Sequence, residues 1–197
     1  MVIRKIIFLL IVSIFSSSVY AQGSATKLGP DTGTAIPHDL ALITTSGNVE
    51  DFDDLTGEKG LALFFVRSFD WCPYCQKQAI EVNERASEFR ARGINPVFIS
   101  YDTPDILKNF YDRYNFTIPI LSDAENDVIN AFEVLNADSI SEKSPIYGYP
   151  HPVVFLISPD RIIRDKLYIE NENSPIGSSY KDRPEIDVIL AAIDTMD

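Results

Sequence analysis

The chain has 197 residues, 45% of them hydrophobic, and carries 29 acidic side chains against 17 basic ones for a formal net charge of −12. That length is enough to bury a full core in one domain without staples. The acidity excludes nucleic acid, whose phosphates need a basic face, and disfavours docking on anionic lipid.

The N-terminus reads as a secretory signal: Arg4 and Lys5 form a positive start, Ile6 to Phe15 an apolar stretch, and Val19 and Ala21 place small residues before a cleavage point. Cleavage after Ala21 would remove two positive charges, and the apolar run is too short to span a membrane comfortably. The expected division is a signal peptide over 1–21, a flexible tether rich in Gly, Ser, Thr and Pro over 22–37, and one domain over 38–197. Export would place the protein in a periplasm or outside the cell, where disulfides persist, with no stable membrane insertion after cleavage.

A hairpin is predicted from Ala41–Thr45 and Val49–Leu55 around Ser46-Gly47-Asn48, followed by a strong strand over Leu61–Arg67. Ala79, Val82, Ala86 and Phe89 recur at helical spacing, so a helix is expected from Pro73 to Arg92, with Gly93 as its cap. A strand around Val97–Tyr101 and a helix opened by Thr103-Pro104 come next. A short strand over Ile118–Leu121 leads to Ser122-Asp123-Ala124-Glu125, a capping-box pattern ahead of Val128, Ile129, Phe132 and Leu135. The stretch Asn136–Tyr149 reads as a loop. Val153–Ser158 and Ile162–Tyr168 form a second hairpin, and a last helix starts near Pro184. This order predicts an α/β sandwich with a mixed central sheet.

The chemistry concentrates in Trp71-Cys72-Pro73-Tyr74-Cys75, which holds both cysteines of the chain. A strand that delivers Cys-x-x-Cys to a helix start sets the first sulfur at the positive end of the helix dipole, where a thiolate is favoured. A disulfide across so short a loop constrains the unfolded chain little, and a zinc site would need four ligands where the chain has only His38 and His151 besides. Reversible dithiol chemistry is therefore expected, with Cys72 attacking a disulfide and Cys75 resolving through a mixed disulfide. No cofactor and no metal are expected. Asp51, Asp53 and Asp54 lack the rest of a calcium loop and read as a solvated acidic turn. Trp71 is the expected wall of the site. Asp70 reads as a solvated turn residue rather than a proton acceptor, and Arg67 as a side chain reaching for solvent.

Three features together resemble the thioredoxin fold, and most closely its peroxiredoxin-like (redoxin, AhpC/TSA-type) branch. They are the strand–Trp71-Cys72-x-x-Cys75–helix unit, the extra strand and helix over 118–135, and the run Pro152-Val153-Val154-Phe155-Leu156-Ile157-Ser158-Pro159-Asp160. The resemblance implies a thioredoxin-like three-layer sandwich with an N-terminal β-hairpin and a strand–helix insertion. It also implies that Pro152 is cis and shapes the substrate groove, with His151 beside the sulfurs. Phe69 and Phe65 stand where peroxiredoxins carry the Thr and Pro of their peroxide motif, and Val66 stands where thioredoxins carry a buried Asp. The expected function is an exported thiol-disulfide oxidoreductase acting on protein thiols and disulfides. The alternatives are a peroxidase with Cys72 as the peroxidatic residue, and a binding module with a permanent disulfide. Partners beyond these substrate classes, and oligomeric state, are not legible.

Overall fold

The computed structural model describes residues 28–136, 143–144, 147–171, 173 and 178–196. The expected signal peptide and its cleavage point lie outside them.

The strands are β1 (Leu42–Thr44), β2 (Val49–Glu50), β3 (Gly60–Phe65), β4 (Ile94–Ser100), β5 (Ile120–Ser122), β6 (Val153–Ile157) and β7 (Ile163–Leu167). They form one sheet in the order β2-β1-β5-β4-β3-β6-β7. The β3, β4 and β5 strands run parallel, while β1, β6 and β7 pair antiparallel with their neighbours, so the sheet is mixed as expected. The helices are α1 (Phe52–Leu55), α2 (Pro73–Glu84), α3 (Ala86–Arg90), α4 (Pro104–Tyr114), α5 (Asp127–Ala131) and α6 (Ile186–Asp194).

The run Leu61–Val66 is buried along its whole length, which is why it lacks polar alternation. Its alternate side chains face opposite layers. Ala62, Phe64 and Val66 join a core with α2, α3, α4 and α6. Leu61, Leu63 and Phe65 join a second core with α1, α5 and Leu28. The sheet is therefore the middle of three layers, and the parallel strands deliver their C-terminal ends to the Cys pair.

Several local expectations change. The second arm of the first hairpin is only two residues long. Asp51 then caps α1 by accepting the amides of Asp53 and Asp54, and the Asp54 side chain accepts the Asp51 amide. The acidic turn is thus a reciprocal capping box. The long helix after the Cys pair is two helices, broken at Arg85 (φ −103°, ψ 14°). At the next expected box, Ser122 belongs to β5, and Asp123 accepts the amides of Val128 (3.3 Å) and Ile129 (2.7 Å), so α5 is shorter than the pattern suggested.

The described part of the expected tether, 28–37, is not loose. Leu28 is buried, Ala35 bridges Ile162, the Gly33 amide donates to the Ile163 carbonyl at 2.7 Å, and Lys166 Nζ donates to the Leu28 and Pro30 carbonyls. These bonds lay the segment along the outer edge of β7, which would otherwise expose unpaired backbone groups.

Candidate active site

The strand β3 ends two residues before Arg67, and the loop Ser68–Trp71 turns the chain into α2. Cys72 is the N-cap of α2 and Pro73 its first residue, where a missing N–H costs nothing. Cys72 and Cys75 form a disulfide with a Cα–Cα distance of 5.3 Å. The Cys75 amide donates toward Cys72 Sγ at 3.3 Å and toward the Cys72 carbonyl at 3.1 Å. The first sulfur therefore shares a first-turn amide at the positive helix end with its own carbonyl. Both cysteines are almost sealed, at 1% and 0% exposure, so burial does not separate them.

The loop before Cys72 is held by a residue that its own sequence does not announce. Asp102, just past the end of β4, is buried, and its carboxylate accepts Ser68 Oγ (2.8 Å), the Phe69 amide (2.6 Å) and Ser100 Oγ (2.9 Å). Ser68 Oγ in turn accepts the amides of Asp70 and Trp71. From α2, Gln76 Nε2 donates to the carbonyls of Phe69 and Asp70. Burial pushes the Asp102 carboxyl up from its usual range, and the three donors pull against that. Asp70 itself is exposed, as a turn residue should be.

Trp71 does form a wall. Its Nε1 donates to Tyr101 Oη at 2.9 Å, and its ring meets Tyr149 edge-on at 5.3 Å. Arg67 does not reach for solvent. Its guanidinium lies 4.7 Å from the ring centres of Trp71 and Tyr149 and 5.3 Å from that of Tyr180, a three-sided aromatic cage for a cation.

On the far side of the disulfide stands Arg183, which precedes α6. Its Nη2 donates to Cys75 Sγ at 3.4 Å. Burial, with Arg67 nearby, pushes the Arg183 guanidinium down to about 10. The buried nitrogens Arg67 Nε, Arg183 Nε, Gln78 Nε2 and His151 Nε2 have no hydrogen-bond partner among the described residues. Arg183 also lines a groove of about 480 Å³ with Tyr74, Gln78, Leu167, Ile169 and Ile186.

The Pro152 expectation needs correction. No peptide bond among the described residues is cis. The segment runs extended into β6, because Pro150 bridges Leu135 and the His151 amide donates to the Val134 carbonyl at 2.7 Å. The ordinary trans bond satisfies that path. His151 is buried, and its Nδ1 pairs with Ser178 Oγ at 3.3 Å, so neither ring nitrogen bonds a sulfur. Burial first, and Arg67 second, push its pKa down to about 4, so the imidazole is neutral near pH 7 rather than titrating there. His38 sits apart, its Nδ1 accepting the Leu40 amide. Among the described residues, no group of three or more His, Cys, Asp or Glu side chains is arranged to hold a metal ion.

The chain is similar to known proteins. The chain is 27% identical over 135 residues to the thiol-disulfide oxidoreductase ResA of Geobacillus thermodenitrificans, covering 68% of this chain and 75% of that one. It is 33% identical over 93 residues to a putative peroxiredoxin of Mycobacterium tuberculosis, covering 47% and 58%. Among solved structures, peroxidoxin BcpB of Mycobacterium tuberculosis superposes with a TM-score of 0.66 at 25% identity, covering 84% of this chain and 97% of that one. Residues 32–166 match the AhpC/TSA family, a span that runs from the segment along β7 through the Cys pair to the end of the sheet. The chain therefore belongs to the AhpC/TSA family.

Proposed function

We propose that this chain is an exported thiol-disulfide oxidoreductase that cycles Cys72 and Cys75 between dithiol and disulfide. The observation that carries the reading is the disulfide at the N-cap of α2, with a separate donor on each sulfur: a backbone amide on Cys72 and a guanidinium on Cys75. Such donors favour thiolates, and thiolates are the reacting species of disulfide exchange. The likeness to ResA supports the same reading. Export rests on Arg4, Lys5, the apolar run Ile6–Phe15 and the small residues Val19 and Ala21. Trp71 walls the site, while Pro152 and His151 shape it as buried neutral backing.

A second reading, peroxide reduction by Cys72, is favoured by the peroxiredoxin relatives. Against it, Phe69 and Phe65 stand at the positions of the peroxide motif, and both are buried apolar rings with no hydroxyl to offer. The two readings separate when reduced protein is offered a protein disulfide and hydrogen peroxide in parallel. Rapid exchange with slow peroxide consumption is the expected result, and Cys72→Ser should return exchange to the uncatalysed rate. Peroxide consumption much faster than that of a free thiol of equal pKa would move the protein to the peroxidases.

A further inference from the structure

One of the four unpartnered buried nitrogens, Arg183 Nε, belongs to the side chain that bonds Cys75 Sγ. Arg183 and Arg67 sense each other's charge, as do Arg67 and His151, and Gln78 stands one helical turn after Cys75 beside the groove that Arg183 lines. Arg67 and Asp182 act on the charge of Arg183, and Tyr74, Lys77, Glu81, Lys181 and Glu185 line the same groove. The Asp182 carboxylate accepts Ser179 Oγ, while Arg183 Nη1 donates to the backbone carbonyls of Tyr180 and Asp182. Keeping a guanidinium partly out of water with its Nε unpaired costs stability. That cost is met if a negative charge forms at this spot during the reaction, and Cys75 Sγ is the atom that Arg183 touches.

We propose that Arg183 is a catalytic residue that receives the Cys75 sulfur as a thiolate when the disulfide opens, and so directs attack to Cys72. The inference rests on the thiol-disulfide exchange reading above. In the step, a substrate thiolate gives its electron pair to Cys72 Sγ and a substrate–Cys72 bond forms. The Cys72–Cys75 bond breaks, and its pair leaves on Cys75 Sγ, so charge is conserved. A more acidic leaving thiol leaves faster, and a charge-assisted bond from a guanidinium is the stronger kind of hydrogen bond. In the reverse direction, the same contact holds the Cys75 thiolate ready to resolve the mixed disulfide.

The test isolates each sulfur. In Cys72→Ser protein, Cys75 is the lone thiol, and its ionisation is followed by thiolate absorbance against pH. Adding Arg183→Met should lower the thiolate fraction at pH 7 by about tenfold or more, the usual effect of losing an adjacent charge. Adding Arg183→Lys should restore most of it. In Cys75→Ser protein, Arg183→Met should move Cys72 by less than about twofold, since its partner is a backbone amide. Arg183→Gln repeats the neutral variant should the Met form not fold, as judged by circular dichroism. An unchanged Cys75 titration, or an equal shift at Cys72, overturns the proposal. These titrations need no substrate. A wild-type protein that fails to exchange with protein disulfides would therefore sink the functional reading separately, and with it the directing role of Arg183.

Discussion

On the Cys72 side of the disulfide, the loop from Ser68 to Trp71 has its amides and carbonyls paired through Asp102, Ser68 and Gln76. On the Cys75 side, Arg183 and, one helical turn along α2, Gln78 each keep a buried nitrogen without a partner among the described residues. The first flank is built as a rigid support, since a fully satisfied buried network fixes one geometry. The second holds the guanidinium of Arg183 against the Cys75 sulfur. Function and stability are thus assigned to opposite sides of one bond.

The comparison is broken most directly through Asp102. Asp102→Ala strands three buried donors and should cost about 3 kcal/mol, read as a shift in the urea midpoint. Arg183→Met should cost the oxidised protein less, about 1 kcal/mol, because a partly desolvated cation leaves along with its bonds to the neutral disulfide and to the carbonyls of Tyr180 and Asp182. Equal losses from the two variants would erase the distinction between flanks.

Acid should act on the buried His151 beside Arg67. The folded-state pKa of His151 is about 4, below the ordinary 6.5, so as pH falls through that window the unfolded chain takes the proton first. Stability should drop by about 3 kcal/mol at most between pH 6.5 and 4, and level off below. Asp102 and Asp123, raised by burial, act with the opposite sign, since the folded protein holds their protons longer as pH rises. His151→Asn, whose side-chain oxygen still meets Ser178, isolates the histidine: its stability curve should lack the acid drop. A curve parallel to that of the wild type would contradict this.

Smaller effects sharpen the picture. Trp71→Phe removes the bond to Tyr101 and should cost about 1 kcal/mol in the same urea measurement. Lys108→Gln breaks an exposed pair with Asp112 and should leave the midpoint where it was.

The sequence carried the local half of this site. Cys72, Cys75 and Trp71 are neighbours, and a strand–turn–helix pattern states their roles within a dozen residues. The apolar run Leu61–Val66 likewise announced a strong strand, which the structure buries on both faces at the centre of the sheet. What escaped were the partners brought in from afar. Arg183 lies 108 positions after Cys75, and Asp102 lies 33 after Phe69, with no period or spacing to link them. Arg67 was misread because a lone arginine at a strand end usually finds water, whereas here Tyr149 and Tyr180 fold over it. His151 was placed near the sulfurs by analogy, but its burial against Arg67 removes the titration that made it attractive. The segment 28–37 looked like a tether because Gly, Pro and Thr carry no period, yet backbone bonds to β7 need none.

The account stands on a disulfide that opens and closes reversibly. Trp71, the single tryptophan, adjoins Cys72, so its fluorescence reports the redox state directly. The decisive measurement is a titration of this emission across thiol–disulfide buffers at pH 7. A reversible two-electron transition with a midpoint between about −300 and −120 mV, the span of exchanging enzymes, is the predicted result. A disulfide that stays closed below about −300 mV would be structural, and would contradict the central claim.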